Sequence, residues 1–103
     1  MTEEKTDELK LETMFQSPLY GTVACLITIV NNGALARFSD ARLAKDFYRE
    51  EKVQEEKVFN ASKMIFKERL NTIVFMYENQ TKEEIAKYIM NKFEDHNIML
   101  KTK

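Results

Sequence analysis

Apolar residues near the start of the chain recur at helical spacing. Leu11, Met14 and Phe15 follow an i, i+3, i+4 pattern, which places their side chains on one face of a helix. Charged residues occupy most of the positions between and before them. The pattern predicts a short amphipathic helix over residues 7–16.

A nearly continuous apolar segment follows, and the residues at its two ends are typical helix boundaries. Ser17 precedes Pro18, which suits an N-cap followed by a first helical residue that needs no hydrogen bond. Gly33 follows a pair of asparagines and suits the left-handed position just after a helix. We therefore favour a central, buried helix over residues 18–31.

The same segment supports a second interpretation, which stays open. Residues 22–30 are rich in β-branched side chains, and Asn32-Gly33 is a favourable hairpin turn. A β-hairpin would then pair Ile27–Val30 with Ala34–Arg37. Residues 22–38 thus have two interpretations: the favoured one is the helix that ends at residue 31, and the alternative is the hairpin.

The next stretch contains neither glycine nor proline over 39 residues. Ser39 is a suitable N-cap, and apolar side chains recur at steps of three and four from Phe59 to Tyr77. This predicts one long helix over residues 40–78. Because such a helix is far longer than average, a kink or break near Asn60 is the alternative.

A capping box predicts the last helix. Thr81 and Glu84 have the spacing at which each side chain binds the other residue's backbone N–H. Ile85, Ile89 and Phe93 then follow on one face. We expect a helix over residues 82–94.

These elements predict an all-α fold, a small four-helix domain organised around one long helix, straight or kinked. Two glycines and one proline also leave few turn positions for a many-stranded β fold. Residues 1–103 are expected to form a single helical domain, with frayed tails near 1–6 and 97–103.

Composition and charge narrow the classes of protein. Sixteen Lys and Arg residues against 17 Asp and Glu residues argue against a strongly basic nucleic-acid-binding domain. One cysteine excludes an internal disulfide framework. The polar N-terminus does not resemble a secretory signal, and the longest apolar stretch is too short to span a membrane. We expect a cytoplasmic protein that does not bind membranes.

The sequence contains little that indicates chemistry. His96 is the single histidine, which excludes multi-histidine metal sites, and its place near a helix end is typical of an exposed residue. Cys25 lies within an apolar segment and is expected to be a buried hydrophobe. Gly21 and Gly33 fit no phosphate-binding pattern. We therefore predict no catalytic, cofactor-binding or metal-binding residues, no cofactor, and a protein that is not an enzyme.

Residues 73–86, IVFMYENQTKEEIA, resemble the first helix, turn and second helix of trihelical helix-turn-helix domains. The resemblance implies a DNA-binding regulator using a hairpin over residues 70–93. Its phosphate contacts would come from Lys82, Lys87 and Lys92. Acidic neighbours and the absence of room for a third helix make this the alternative function.

Apolar residues outside the main helical stripe suggest a surface that a partner covers. The predicted interaction surface consists of Ile65, Val74, Phe75 and Met76. We predict a small regulatory or adaptor protein that acts through protein–protein contacts, with a homodimer or another protein as partner. A composition rich in Lys, Glu, Asn, Ile and Met resembles that of proteins from AT-rich bacterial mobile elements, including phages.

Overall fold

The fold is a six-stranded antiparallel sheet with two helices on one face. It comes from a computed structural model, which describes residues 8–57 and 63–103, without the side chains of 54–57. In chain order the elements are β1 (Leu9–Ser17), β2 (Gly21–Val30), β3 (Gly33–Phe38), α1 (Ala41–Lys57), β4 (Lys63–Lys67), β5 (Thr72–Met76), α2 (Lys82–Glu94) and β6 (Lys101–Thr102). The predicted all-α four-helix domain is therefore wrong.

Strand β1 replaces the predicted helix over residues 7–16. Burial alternates along the strand, so that Leu11 is buried while Lys10 and Glu12 are exposed. Leu11 and Phe15 fit a period of two as well as a helical period, but Met14 is 72% exposed on the opposite side. The helical spacing of Leu11, Met14 and Phe15 is therefore a coincidence, because the side chains of this segment follow a two-residue repeat.

The predicted helix over residues 18–31 is also wrong, and its hairpin alternative is correct. Strand β2 pairs with β3 through Ile27 opposite Ala36 and Val30 opposite Gly33. Ser17 accepts hydrogen bonds from the backbone N–H groups of Leu19 and Tyr20, so it stabilises a tight turn between β1 and β2 instead of starting a helix.

Within the described residues, α1, β4 and β5 replace the predicted helix over residues 40–78. Its first part is α1, which begins after Asp40, whose carboxylate accepts the N–H groups of Arg42 and Leu43. Strands β4 and β5 follow, joined by a 3₁₀ turn that ends at Asn71 in a left-handed conformation. The suggested break near Asn60 lies outside the described residues.

Strand order in the sheet is β4-β5-β3-β2-β1-β6. Both β3 and β4 run antiparallel to β5, which lies between them, so β3 and β4 are parallel to each other. Helix α1 connects these two parallel strands, as in a split β-α-β unit. Helix α1 contacts β3, β4 and β5, and α2 contacts β2 and β3. Both helices lie on the side of the sheet to which the buried strand positions point.

Aromatic rings join the sheet to both helices. Phe38 of β3 lies 5.6 Å from Phe47 of α1 and 6.0 Å from Phe93 of α2, measured between ring centroids. The Phe47 and Phe93 rings are 4.5 Å apart. All three side chains are buried, so this cluster fixes the helix layer on the sheet.

Helix α2 confirms the prediction for residues 82–94. Its capping box is complete, because Thr81 Oγ1 accepts the Glu84 N–H and Glu84 Oε1 accepts the Thr81 N–H. The tip of the β2–β3 hairpin supports the same region: Asn31 Oδ1 accepts the Lys82 N–H and Asn32 Oδ1 accepts the Gln80 N–H.

The C-terminal segment over residues 97–103 is ordered against the sheet instead of frayed. Ile98 and Leu100 are buried, and β6 pairs with β1 through Glu12 opposite Lys101. These two apolar side chains explain the difference, because their burial offsets the cost of ordering the segment. The predicted tail over residues 1–6 lies outside the described residues.

Replacing Thr81 tests the capping box. Thr81→Ala removes the acceptor for the Glu84 N–H, so we expect the free energy of unfolding to fall by about 1 kcal/mol. Urea denaturation measures it, with Thr102→Ala, at an exposed strand position, as the control. Equal unfolding curves for the wild type and Thr81→Ala would contradict the role of this cap.

Replacing Asn32 separates a backbone effect from a hydrogen bond. Asn32 has a φ of 69°, which glycine adopts without strain and alanine does not. Both Asn32→Gly and Asn32→Ala lose the bond to the Gln80 N–H. We expect thermal unfolding to show that Asn32→Ala is less stable than Asn32→Gly by about 1 kcal/mol. Equal stability of the two variants would show that the left-handed backbone carries no cost.

Candidate functional site

The sheet face opposite α1 and α2 is the candidate functional site, and we call it the open face. Successive side chains along each strand point to opposite faces of the sheet, so every second side chain points away from the helices. Burial follows this alternation along β3, where Ala34, Ala36 and Phe38 are buried while Leu35 and Arg37 are exposed. Within the described residues, the buried strand positions face α1 and α2, so neither helix packs on the open face.

An apolar strip crosses the centre of the open face. Leu35 is 47% exposed, Ile65 and Val30 are each 41% exposed, and Met76 is 37% exposed. The pairing register places Leu35 beside Val74, which in turn lies beside Ile65. We define the apolar strip as Leu26, Val30, Leu35, Ile65, Val74 and Met76.

Exposed apolar side chains concentrate on this face. Of the ten large hydrophobic residues that are exposed in the described part of the chain, six lie on the open face or along its β6 edge: Met14, Val30, Leu35, Ile65, Met76 and Met99. The two helices contribute only Val53 and Tyr88. A contiguous exposed apolar patch of this kind is typical of an interaction site.

Basic side chains surround the apolar strip. Six Lys and Arg residues accompany two acidic residues, Glu8 and Glu12, at the open-face positions of the strands and their immediate continuations: Lys10, Arg37, Lys63, Lys67, Lys101 and Lys103. The whole chain has a net charge of −1. Positive charge is therefore collected on the same face as the exposed apolar residues.

A broad depression of about 990 Å³ extends the open face towards the C-terminus. Leu26 and Met14 contribute to its apolar lining, while Arg37 and Lys101 contribute basic groups. The depression is wide and open to solvent, so it resembles a docking surface more than an enclosed small-molecule site.

Three of the four predicted interaction residues lie together on the open face. Ile65, Val74 and Met76 belong to the apolar strip, although they are on strands and not on a helix. Phe75 points the other way and is fully buried beneath the helices. The prediction for Phe75 is therefore wrong, because the two-residue alternation of β5 places it on the face opposite Val74 and Met76.

The helix-turn-helix hairpin predicted over residues 70–93 is not formed. Residues 72–76 are a strand, so α2 has no preceding helix to pack against in that way. Lys87 is exposed, whereas the Lys92 ammonium lies 3.2 Å from a Glu51 carboxylate oxygen. Lys82, Lys87 and Lys92 recur every five residues, which spreads them around the helix instead of along one face.

A buried carboxylate joins the two helices. Glu51 of α1 is only 4% exposed, and its second oxygen lies 2.9 Å from His96 Nε2. The His96 ring also stacks on Phe47, with 4.1 Å between ring centroids. Burial raises the pKa of Glu51, but the hydrogen bonds and charges of His96 and Lys92 outweigh it and hold that pKa below its ordinary value.

His96 is thus a structural residue, and the expectation that it is exposed is wrong. Its Nδ1 lies 3.3 Å from a Glu50 oxygen and its Nε2 faces Glu51, so neither ring nitrogen is left to activate a nucleophile. Cys25 is buried as predicted, and burial raises the pKa of its thiol to about 12. The thiol therefore stays protonated and unreactive at neutral pH.

Four residues of the site were not predicted: Leu26, Val30, Leu35 and Arg37. In the predicted buried helix over residues 18–31, Leu26 and Val30 have no exposed sheet face to share with the other strands. The combination of a β-branched run with Asn32-Gly33 was the signal that could have found them.

Neither helix of the described residues has the length and apolar character needed to cross a membrane.

Neutralising Glu51 tests the buried cluster. We expect Glu51→Gln to lower the free energy of unfolding by about 1–3 kcal/mol at pH 7, because it removes the charge that faces Lys92 and His96. The pKa of Glu51 is lower in the folded protein than in the unfolded chain. Its ionised form therefore stabilises the fold above the unfolded-state pKa, and this stabilisation is lost as the pH falls through the folded-state pKa.

Urea denaturation in a series from pH 7 down to about pH 3 measures this dependence. The difference in the free energy of unfolding between the wild type and Glu51→Gln should become smaller towards low pH. Glu94→Gln is the control, since Glu94 is exposed on α2 and its neutralisation should change the free energy of unfolding by less than about 0.5 kcal/mol. A difference that stays constant across the series would contradict the assignment.

Comparison with known proteins assigns no family to this chain. It matches no protein-family model, no curated protein and no solved structure. Function is therefore inferred from the exposure, charges and contacts of the chain's own residues.

Proposed function

We propose that this chain is a small, non-enzymatic regulatory or adaptor protein that acts in the cytoplasm by binding another protein through its open face. The single observation that carries the proposal is the apolar strip, in which Leu35, Ile65 and Met76 are each more than a third exposed. A sheet in a stable domain usually covers its apolar surface with another layer. A partner that completes this layer would bury the strip.

The polar groups of the described residues support binding over catalysis. Both nitrogens of His96 face carboxylates, and the Cys25 thiol is buried. The open-face depression is lined by basic groups such as Arg37 and Lys101, and Cys25, which also borders it, is only 3% exposed. The composition that suggests a bacterial mobile-element protein fits a small regulator of this kind.

Homodimerisation remains a prediction, but the charge of the open face makes a second copy an unfavourable occupant of that face. Six basic residues against two acidic ones would meet the same excess on the other copy. Like charges brought together at an interface weaken association. We therefore favour a different protein as the partner of the open face.

Capture of a partner from the source cells tests the proposed function. We expect immobilised wild-type protein to retain a protein that Leu35→Lys no longer retains, because the substitution places a charge in the apolar strip. Quantitative mass spectrometry of the eluates measures the difference. Val53→Lys, at a 53% exposed position on α1, is the control and should retain as much as the wild type.

Two results would contradict the proposal: no protein retained by the wild type, or equal retention by all three proteins. Circular dichroism of each variant establishes that it is folded. Because Leu35 is 47% exposed, its replacement by lysine should leave the fold intact.

A further inference from the structure

We propose that the open face binds an amphipathic α-helix of a partner protein, with an apolar stripe flanked by acidic side chains. This inference rests on the proposed function and specifies the chemistry of the partner. The apolar strip supplies the contact for the stripe. The surrounding lysines and Arg37 supply the contacts for the acidic flanks.

The geometry of the sheet favours a helix over an added strand. Backbone groups on the face of a sheet are already paired along the strands, so a strand from another protein adds at an edge and not on a face. A face is covered by a second layer of side chains, and this sheet already carries helices on its other side.

The dimensions of the apolar strip also fit a helix. The central row crosses four neighbouring strands through Ile65, Val74, Leu35 and Thr28. With strands about 4.8 Å apart, this row extends over roughly 14 Å. A helix that lies along the row rises 1.5 Å per residue, so about ten residues of its apolar stripe would cover the row.

The charges on either side of the strip favour acidic flanks. Lys63 and Lys67 lie on both sides of Ile65 on β4, and Arg37 lies one row from Leu35 on β3. Lys10 ends the central row on β1, beside Thr28. Acidic residues on one side of the partner's stripe would therefore meet Lys67 and Arg37. An acidic residue on the other side would meet Lys63, at the β4 end of the strip.

A nucleic acid is less suited to this face. The open-face positions of the six strands hold no aromatic residue on which bases could stack. A nucleic acid bound through its phosphates alone would either leave Leu35, Val74 and Ile65 exposed to water or place them against its charged sugar-phosphate backbone. An oligonucleotide is therefore included in the test as a competing ligand.

Two synthetic helical peptides, each about 18 residues and 27 Å long, test the inference with the full-length protein. They share one leucine stripe, and the stripe is flanked by glutamate in the first peptide and by lysine in the second. Fluorescence anisotropy of labelled peptide measures binding at low and at physiological salt. We expect the glutamate peptide to bind at least about tenfold more tightly than the lysine peptide, with the preference decreasing as salt increases.

Charge reversal on the open face should remove the preference. The variant carries Arg37→Glu and Lys67→Glu, and the matched control carries Lys45→Glu and Lys87→Glu at exposed helix positions. We expect the first variant to bind both peptides equally or to prefer the lysine peptide. The control has the same net charge as the first variant, but its open face is unchanged. It should therefore keep the wild-type preference for the glutamate peptide.

Three results would overturn the inference: equal affinity of the wild type for the two peptides, no binding of either, or tighter binding of a 20-nucleotide DNA strand than of the glutamate peptide. A different result would contradict the proposed function itself: Leu35→Lys would retain the cellular partner as well as the wild type does. Partner capture that depends on Leu35 without a peptide preference would leave the proposed function standing and exclude the acid-flanked helix.

Discussion

The structure depends on the alternation of side chains across a pleated sheet. In β2, β3 and β5 this alternation sends one set of apolar side chains towards the helices and leaves the next set facing solvent. Helix α1 covers one side as the crossover from β3 to β4, and the Phe38–Phe47–Phe93 cluster joins α2 to the same side. The open face is a direct result of this one-sided helix layer.

The buried polar cluster between the helices shows a different kind of constraint. Glu51 is enclosed by Lys92 and His96, so its charge is compensated within the helix layer. Replacing such a cluster by apolar residues of the same volume is often neutral or stabilising, whereas removing one partner leaves an uncompensated buried charge. The contacts of Glu51 with Lys92 and His96 therefore couple α1 to α2 and the residues that follow it.

The sequence identified those elements whose signals are local. Thr81 and Glu84 define the start of α2 within four residues, and the predicted helix over 82–94 is correct. Strands depend on partners far along the chain, such as Ala36 opposite Ile73, and no local pattern contains that information. Leu11 and Phe15 fit both a helical and a strand period, so the choice between them required the partner strand.

The candidate site was partly predictable for a related reason. Ile65, Val74 and Met76 were recognised as apolar residues in excess of what one helix face could bury. Their neighbours Leu35 and Val30 come from a different part of the chain, and only the register of β3 with β5 and β2 brings them together. A surface assembled from four strands exists in the sequence only as scattered residues.

The outer position of β4 has a consequence for how the protein behaves at high concentration. As an edge strand it offers unpaired backbone groups to other chains, and the exposed Ile65 at its centre adds a tendency to aggregate. Lys63 and Lys67 flank that isoleucine on the same face. A second copy that paired with β4 edge to edge would bring these ammonium groups close together. The strand that contributes Ile65 to the apolar strip therefore also carries the charges that oppose fibril growth.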